Sequence, residues 1–158
     1  MAFIRDPDRT TLSQRFADEM QDDVVLQLFT TKPLGLFIPG REECVSCPDA
    51  EALLGEVAAL SPHLRLEQHD LAADREVATT AGVDRVPALV LRGADGVPAG
   101  AVRFFGLPSG YEFMTLVDDI IDISRGASPL SEDSQEQVRD ALAAAKEPLH
   151  IQVFVTPT

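Results

Sequence analysis

The chain has 158 residues, 45% of them hydrophobic, which is enough for one ordinary core with some length left over. Its 26 acidic residues against 13 basic ones give a net charge of −13, a surface that repels phosphate backbones and argues against a nucleic-acid partner. No apolar run approaches the roughly 20 residues of a membrane span, and the start, MAFIRDPDRT, lacks the basic flank and apolar run of a secretory signal. A cytoplasmic, reducing compartment is therefore expected, where a purely structural disulfide is a poor account of the cysteines.

Asp6-Pro7-Asp8 reads as a helix start, an acidic cap followed by proline at the first helical position. Leu12, Phe16 and Met20 then recur every fourth residue as one buried stripe. Residues 24–30, VVLQLFT, predict a buried strand, and the Pro- and Gly-punctuated TKPLGLFIPGREE a loop whose Leu34, Leu36 and Phe37 pack inward. A helix is expected from Cys44 to Leu60, a strand over 64–69, a short helix over 74–82 and a strand over 87–92. The turn-forming GADGVPAG joins that last strand to another at 100–105, as an antiparallel hairpin. Residues 109–125 form a helix with Phe113, Leu116, Val117, Ile120 and Ile121 inward, with Tyr111 half packed on the hairpin. Beyond the linker GASPLSED come a helix over 134–146 and a strand over 149–155. The order β-α-β-α-β-β-α within 24–125 implies an α/β fold, a mixed four-stranded sheet in the order 2-1-3-4 with helices on its faces.

Cys44 and Cys47 stand three apart at the expected start of a helix. Positions i and i+3 share a helix face, so the sulfurs can meet. The free N–H groups and positive dipole end of a helix N-terminus favour a thiolate, the attacking species in disulfide exchange. Cys44 would be the nucleophile and the more shielded Cys47 the resolving thiol. Pro48, lacking an N–H, fits the first helical turn. Glu42 and Glu43 oppose thiolate formation, and Arg41 offsets one of them. A C-x-x-C is also half of a zinc site, but these are the only two cysteines and a structural zinc takes four ligands, leaving His63 and His69 to complete one. No metal is expected. Asp22-Asp23 and Asp118-Asp119 read as solvated caps or faces, and Gly106 as permitting close packing after the fourth strand.

With Cys44-Val45-Ser46-Cys47 after the first strand and Val86-Pro87 before the third, the chain resembles the thioredoxin superfamily. It is more specifically similar to the glutaredoxin-like protein disulfide oxidoreductases, which carry two thioredoxin units in tandem. The amino-terminal region of the flavoprotein subunit of alkyl hydroperoxide reductase is built similarly. The matching segments include GVDRVPALVL, VRFFGLPSGYEFMTLVDDIIDISRG and HIQVFVTPT. The resemblance implies a cis Val86-Pro87 bond facing the dithiol, with the Val86 peptide group pairing with substrate backbone. It also implies a redox-active centre working in cell redox homeostasis on protein thiols and disulfides, with a donor such as thioredoxin reductase. No cofactor is expected beyond the redox-active disulfide. The glycine pair and acid that hold glutathione in glutaredoxins are matched only loosely by Gly110 and Glu112, which argues against glutathione use. The alternative is a redox-silent docking module of the same fold, its catalytic pair lying in another unit or chain.

VVLQLFTT from Val24 and LHIQVFVT from Leu149 align residue for residue, Gln27 with Gln152 and Phe29 with Phe154, each after a helix with apolar pairs four apart. Such self-similarity marks a repeated unit. Residues 1–126 are therefore expected to form one thioredoxin/glutaredoxin-like domain. Residues 127–158 would be a linker and the first helix and strand of an incomplete second unit, whose bare strand would pair with a sheet edge or with a second chain as a homodimer.

Overall fold

A computed structural model describes residues 2–32, 43–93, 102–147 and 150–153. It resolves into two compact units, Met1–Gly126 and Ala127–Thr158. The first holds α1 (Asp6–Glu19), β1 (Val24–Thr30), α2 (Cys47–Ala58), β2 (Leu64–Asp70), α3 (Arg75–Ala81), β3 (Ala88–Gly93), β4 (Val102–Phe105) and α4 (Tyr111–Arg125). The second holds α5 (Glu132–Ala144).

The sheet order is β2-β1-β3-β4, as the pattern predicted, with β1 parallel to β2 and antiparallel to β3, and β3 antiparallel to β4. Every residue of β1 is buried, which is what a continuous apolar run produces when helices cover both faces of a central strand. Side chains alternate between those faces. Val24, Leu26 and Leu28 enter the larger core, with Leu12 and Phe16 of α1, Leu53, Leu54 and Val57 of α2 and Leu116, Val117, Ile120 and Ile121 of α4. Phe29 enters a smaller core with Ala78 of α3, Val83, Ala88 and Val90.

Several boundaries differ from expectation. Helix α2 begins at Cys47, not Cys44, because a first helical bond to the Cys44 carbonyl would need an N–H at residue 48, and Pro48 has none. The Cys44 carbonyl instead accepts from the Cys47 N–H at 3.3 Å, and Ala50 N–H bonds the Ser46 carbonyl at 3.0 Å. Helix α1 is flanked by Arg5, with Asp6 inside its first turn. Helix α4 starts at Tyr111 because Gly110 before it takes φ 61°, open only to glycine. Tyr111 is 80% exposed rather than half packed, since it lies two and a half turns before the buried Ile120 and so on the opposite face. Gly106 has no atom within 4 Å of where a Cβ would stand; its role is its φ of +101°, not close packing.

The sequence pattern passed over Ser124, which is buried on α4. Its hydroxyl oxygen accepts from Gln21 and Asp22 N–H at 2.8 and 2.9 Å and donates to the Asp22 carbonyl at 2.6 Å, fastening the turn between α1 and β1.

In the second unit, Ser131 caps α5 by accepting from Ser134 N–H, two residues or more ahead of the expected start, and α5 has no buried residue. Of the strand expected at 149–155, residues 149, 154 and 155 lie outside the described residues, and the described 150–153 form no strand and have no regular structure. Leu34, Leu36, Phe37, Arg41, Glu42 and most of the hairpin connection also lie outside them.

Candidate active site

Cys44 and Cys47 are joined by a disulfide, with Cα atoms 5.4 Å apart. The tight turn preceding α2 lifts Cys44 into partial exposure, whereas Cys47, already helical, is 2% exposed beneath it. Val45 between them is 88% exposed. The two sulfurs are thus unequal in access.

Cys44 borders an open depression of about 460 Å3, lined also by Thr31, Glu43, Arg75, Arg85 and Val86. These residues come from the segments after β1 and before α2 and β3 and from the first residue of α3, which follows β2, so they gather at the carboxyl ends of the two parallel strands, the usual place for a site in an open α/β sheet. The Val86–Pro87 bond is cis. The Pro87 carbonyl accepts from Gly106 N–H at 2.9 Å, tying this segment to β4. Val86 packs its side chain against the smaller core, and its main-chain N–H and C=O have no hydrogen-bond partner among the described residues. An extended chain beside Cys44 would find both groups free.

Asp70 at the end of β2 shapes the rim. Its carboxylate accepts main-chain N–H bonds from Lys32 at 3.0 Å and from Ala72 and Ala73 at 2.9 Å, binding the segment after β1 to the segment after β2. These N–H groups, Lys32 first and then Ala73, hold the Asp70 carboxyl below the ordinary value of an aspartate. An Asp at the head of Leu71-Ala72-Ala73 is an Asx-turn signal that could have been read from the sequence.

Each histidine has partners of its own. His63 Nδ1 sits 2.7 Å from the Asp23 carboxylate. His69 stacks on Phe29 at 5.2 Å and meets Gln27 Nε2 at 3.2 Å. Of the acidic pairs, Asp118 receives Arg15 at 2.7 Å, and burial raises the Asp119 carboxyl, with Asp122 and Asp118 adding to the effect. Gly110 and Glu112 flank the start of α4, with Glu112 exposed.

No family model and no curated protein matches the chain. Solved structures do. The NTD_N/C domain of alkylhydroperoxide reductase AhpF from Enterococcus faecalis is similar at a TM-score of 0.71 and 24% identity, over 86% of this chain and 60% of that one. The protein disulfide oxidoreductase from Aeropyrum pernix is similar at a TM-score of 0.68 and 25% identity, over 85% of this chain and 54% of that one. The chain therefore spans little more than half the length of either, and what it shares with both is a thioredoxin-like fold.

Proposed function

We propose that this thioredoxin-fold chain exchanges its Cys44–Cys47 pair with the thiols and disulfides of protein substrates. The observation that carries the proposal is the pairing of a partly exposed Cys44 with a buried Cys47, on a depression that also presents the unbonded main chain of Val86. In the reduced pair, the Cys44 thiolate attacks one substrate sulfur. The substrate S–S bond breaks, its other sulfur leaves as a thiolate that takes up a proton, and a mixed disulfide forms. Cys47, deprotonated in turn, attacks the Cys44 sulfur, re-forms the Cys44–Cys47 bond and releases the second substrate thiol. Two electrons pass from the pair to the substrate, and a dithiol or a reductase such as thioredoxin reductase restores them. Val86 would hold the substrate backbone in register.

The similarity to a protein disulfide oxidoreductase supports this chemistry, and a role in cytoplasmic redox homeostasis follows if the donor is a cytoplasmic reductase. No described helix is long and apolar enough to cross a membrane. Reduction of insulin with dithiothreitol as donor is the direct test. Acceleration that requires Cys44 is the expected result, and a chain that leaves insulin reduction at the rate of dithiothreitol alone would be a redox-silent docking module instead.

A further inference from the structure

In the first unit, Arg9 is held by Glu56, Arg15 by Glu19 and Asp118, and Arg85 by Asp84. The Arg75 guanidinium has no ion pair or hydrogen bond among the described residues, although the chain carries 26 acids to 13 bases. Its neighbour Asp74 does not supply one, because that carboxylate is turned back to accept the Asp70 N–H at 2.9 Å. This exposed and unpaired cation lines the same depression as Cys44 and Val86.

We infer that Arg75 selects substrates whose disulfide is flanked by an acidic side chain, the carboxylate seating on the guanidinium while Cys44 meets the neighbouring sulfur. The inference rests on the thiol–disulfide exchange proposed above and adds no covalent step to it. Glu43 lines the depression too, with no ion pair to Arg75. A substrate carboxylate therefore gains at one place and is repelled at another, so selection depends on which side of the substrate cysteine the acid stands. In a protein of net charge −13, whose general field repels acidic partners, an arginine without a carboxylate partner on the depression beside the nucleophile is what would admit them.

The test uses the full chain, dithiothreitol as donor, and disulfide-bonded peptides differing only in a Glu, Gln or Lys placed before or after the cysteine. One of the two Glu positions should be favoured over Gln by about twofold to fivefold in kcat/KM at low salt, the range of a single exposed ion pair, and the advantage should shrink in high salt. Arg75→Gln should erase the Glu-to-Gln ratio, and Arg75→Glu should shift preference to Lys at the same position. Absence of any charge preference, or a preference that Arg75→Gln retains, overturns the inference. So does an Arg75-dependent preference seen only with oxidised glutathione, whose own carboxylates form a separate arm. Failure to turn over even the Gln peptide overturns the exchange chemistry itself, a result distinct from turnover without selectivity.

Discussion

Cys44 and Cys47 have the same chemistry and opposite settings. Cys47 sits at 2% exposure in the first turn of α2, and Cys44 stands partly open in the turn before it. Access controls disulfide exchange as much as thiolate content does. In the reduced protein, iodoacetamide should therefore modify Cys44 well before Cys47, as read by peptide mass spectrometry over time. Cys44→Ser should abolish exchange, whereas Cys47→Ser should accumulate a mixed disulfide with substrate. Equal modification of both thiols would refute the assignment of nucleophile and resolving roles. Arg75 belongs at this scale as well: its residue type is ordinary, and only its lack of a partner beside Cys44 makes it informative.

At the scale of elements, α1 is tied to α2 by one carboxylate. Glu56 accepts the Phe3 and Ile4 N–H groups at 2.9 and 3.0 Å and pairs with Arg9 at 3.0 Å. The Ile4 and then Phe3 N–H groups hold its pKa below the ordinary 4.5. A carboxyl with a depressed folded value contributes stability that is fully present above the unfolded value and is lost as pH falls through the folded one. Glu56→Gln should therefore lower the melting temperature at neutral pH, and the difference from the parent should close as the solution is acidified below the carboxylate range. A difference that stays constant with pH would show that the charge of Glu56 contributes nothing. The α4 side of the same core is fastened differently, by the uncharged Ser124 hydroxyl, and that attachment should not respond to acid.

For the whole molecule, the described core lies within residues 4–121, inside the first unit, while α5 buries nothing. Its apolar Val138 and Leu142 are 49% and 55% exposed, and an isolated helix of 13 residues is marginal in water. A chain ending at Gly126 should consequently keep its far-UV circular dichroism, a cooperative melt and insulin reduction. Unfolding of that shorter chain would assign residues 127–158 to the first core and remove the idea of a separate, repeated unit. Sedimentation of the two lengths side by side tests association through the C-terminal segment: a dimer that disappears with residues 127–158 is the expected pattern.

The features legible before folding are those that local periodicity encodes. The apolar run of β1, the period of α4 and the right-handed β-α-β rule were sufficient for the sheet order, and Cys44-x-x-Cys47 with Val86-Pro87 marked where to look for chemistry. Element starts were less legible, because they turn on single hydrogen bonds: the N–H that Pro48 lacks moves α2 by three residues, and the φ that Gly110 adopts sets α4. Which polar side chains share a site is set by long-range pairing of the chain. Arg75 follows Asp70 in the chain by one short turn, yet its relation to Cys44 exists only because parallel pairing of β1 with β2 brings their carboxyl ends together. Ser124 reaches Asp22 by the same kind of long-range closure. A charged or hydroxyl side chain on a surface turn carries no periodic signal, so its partners are set by chain reversal and packing rather than by its neighbours in sequence.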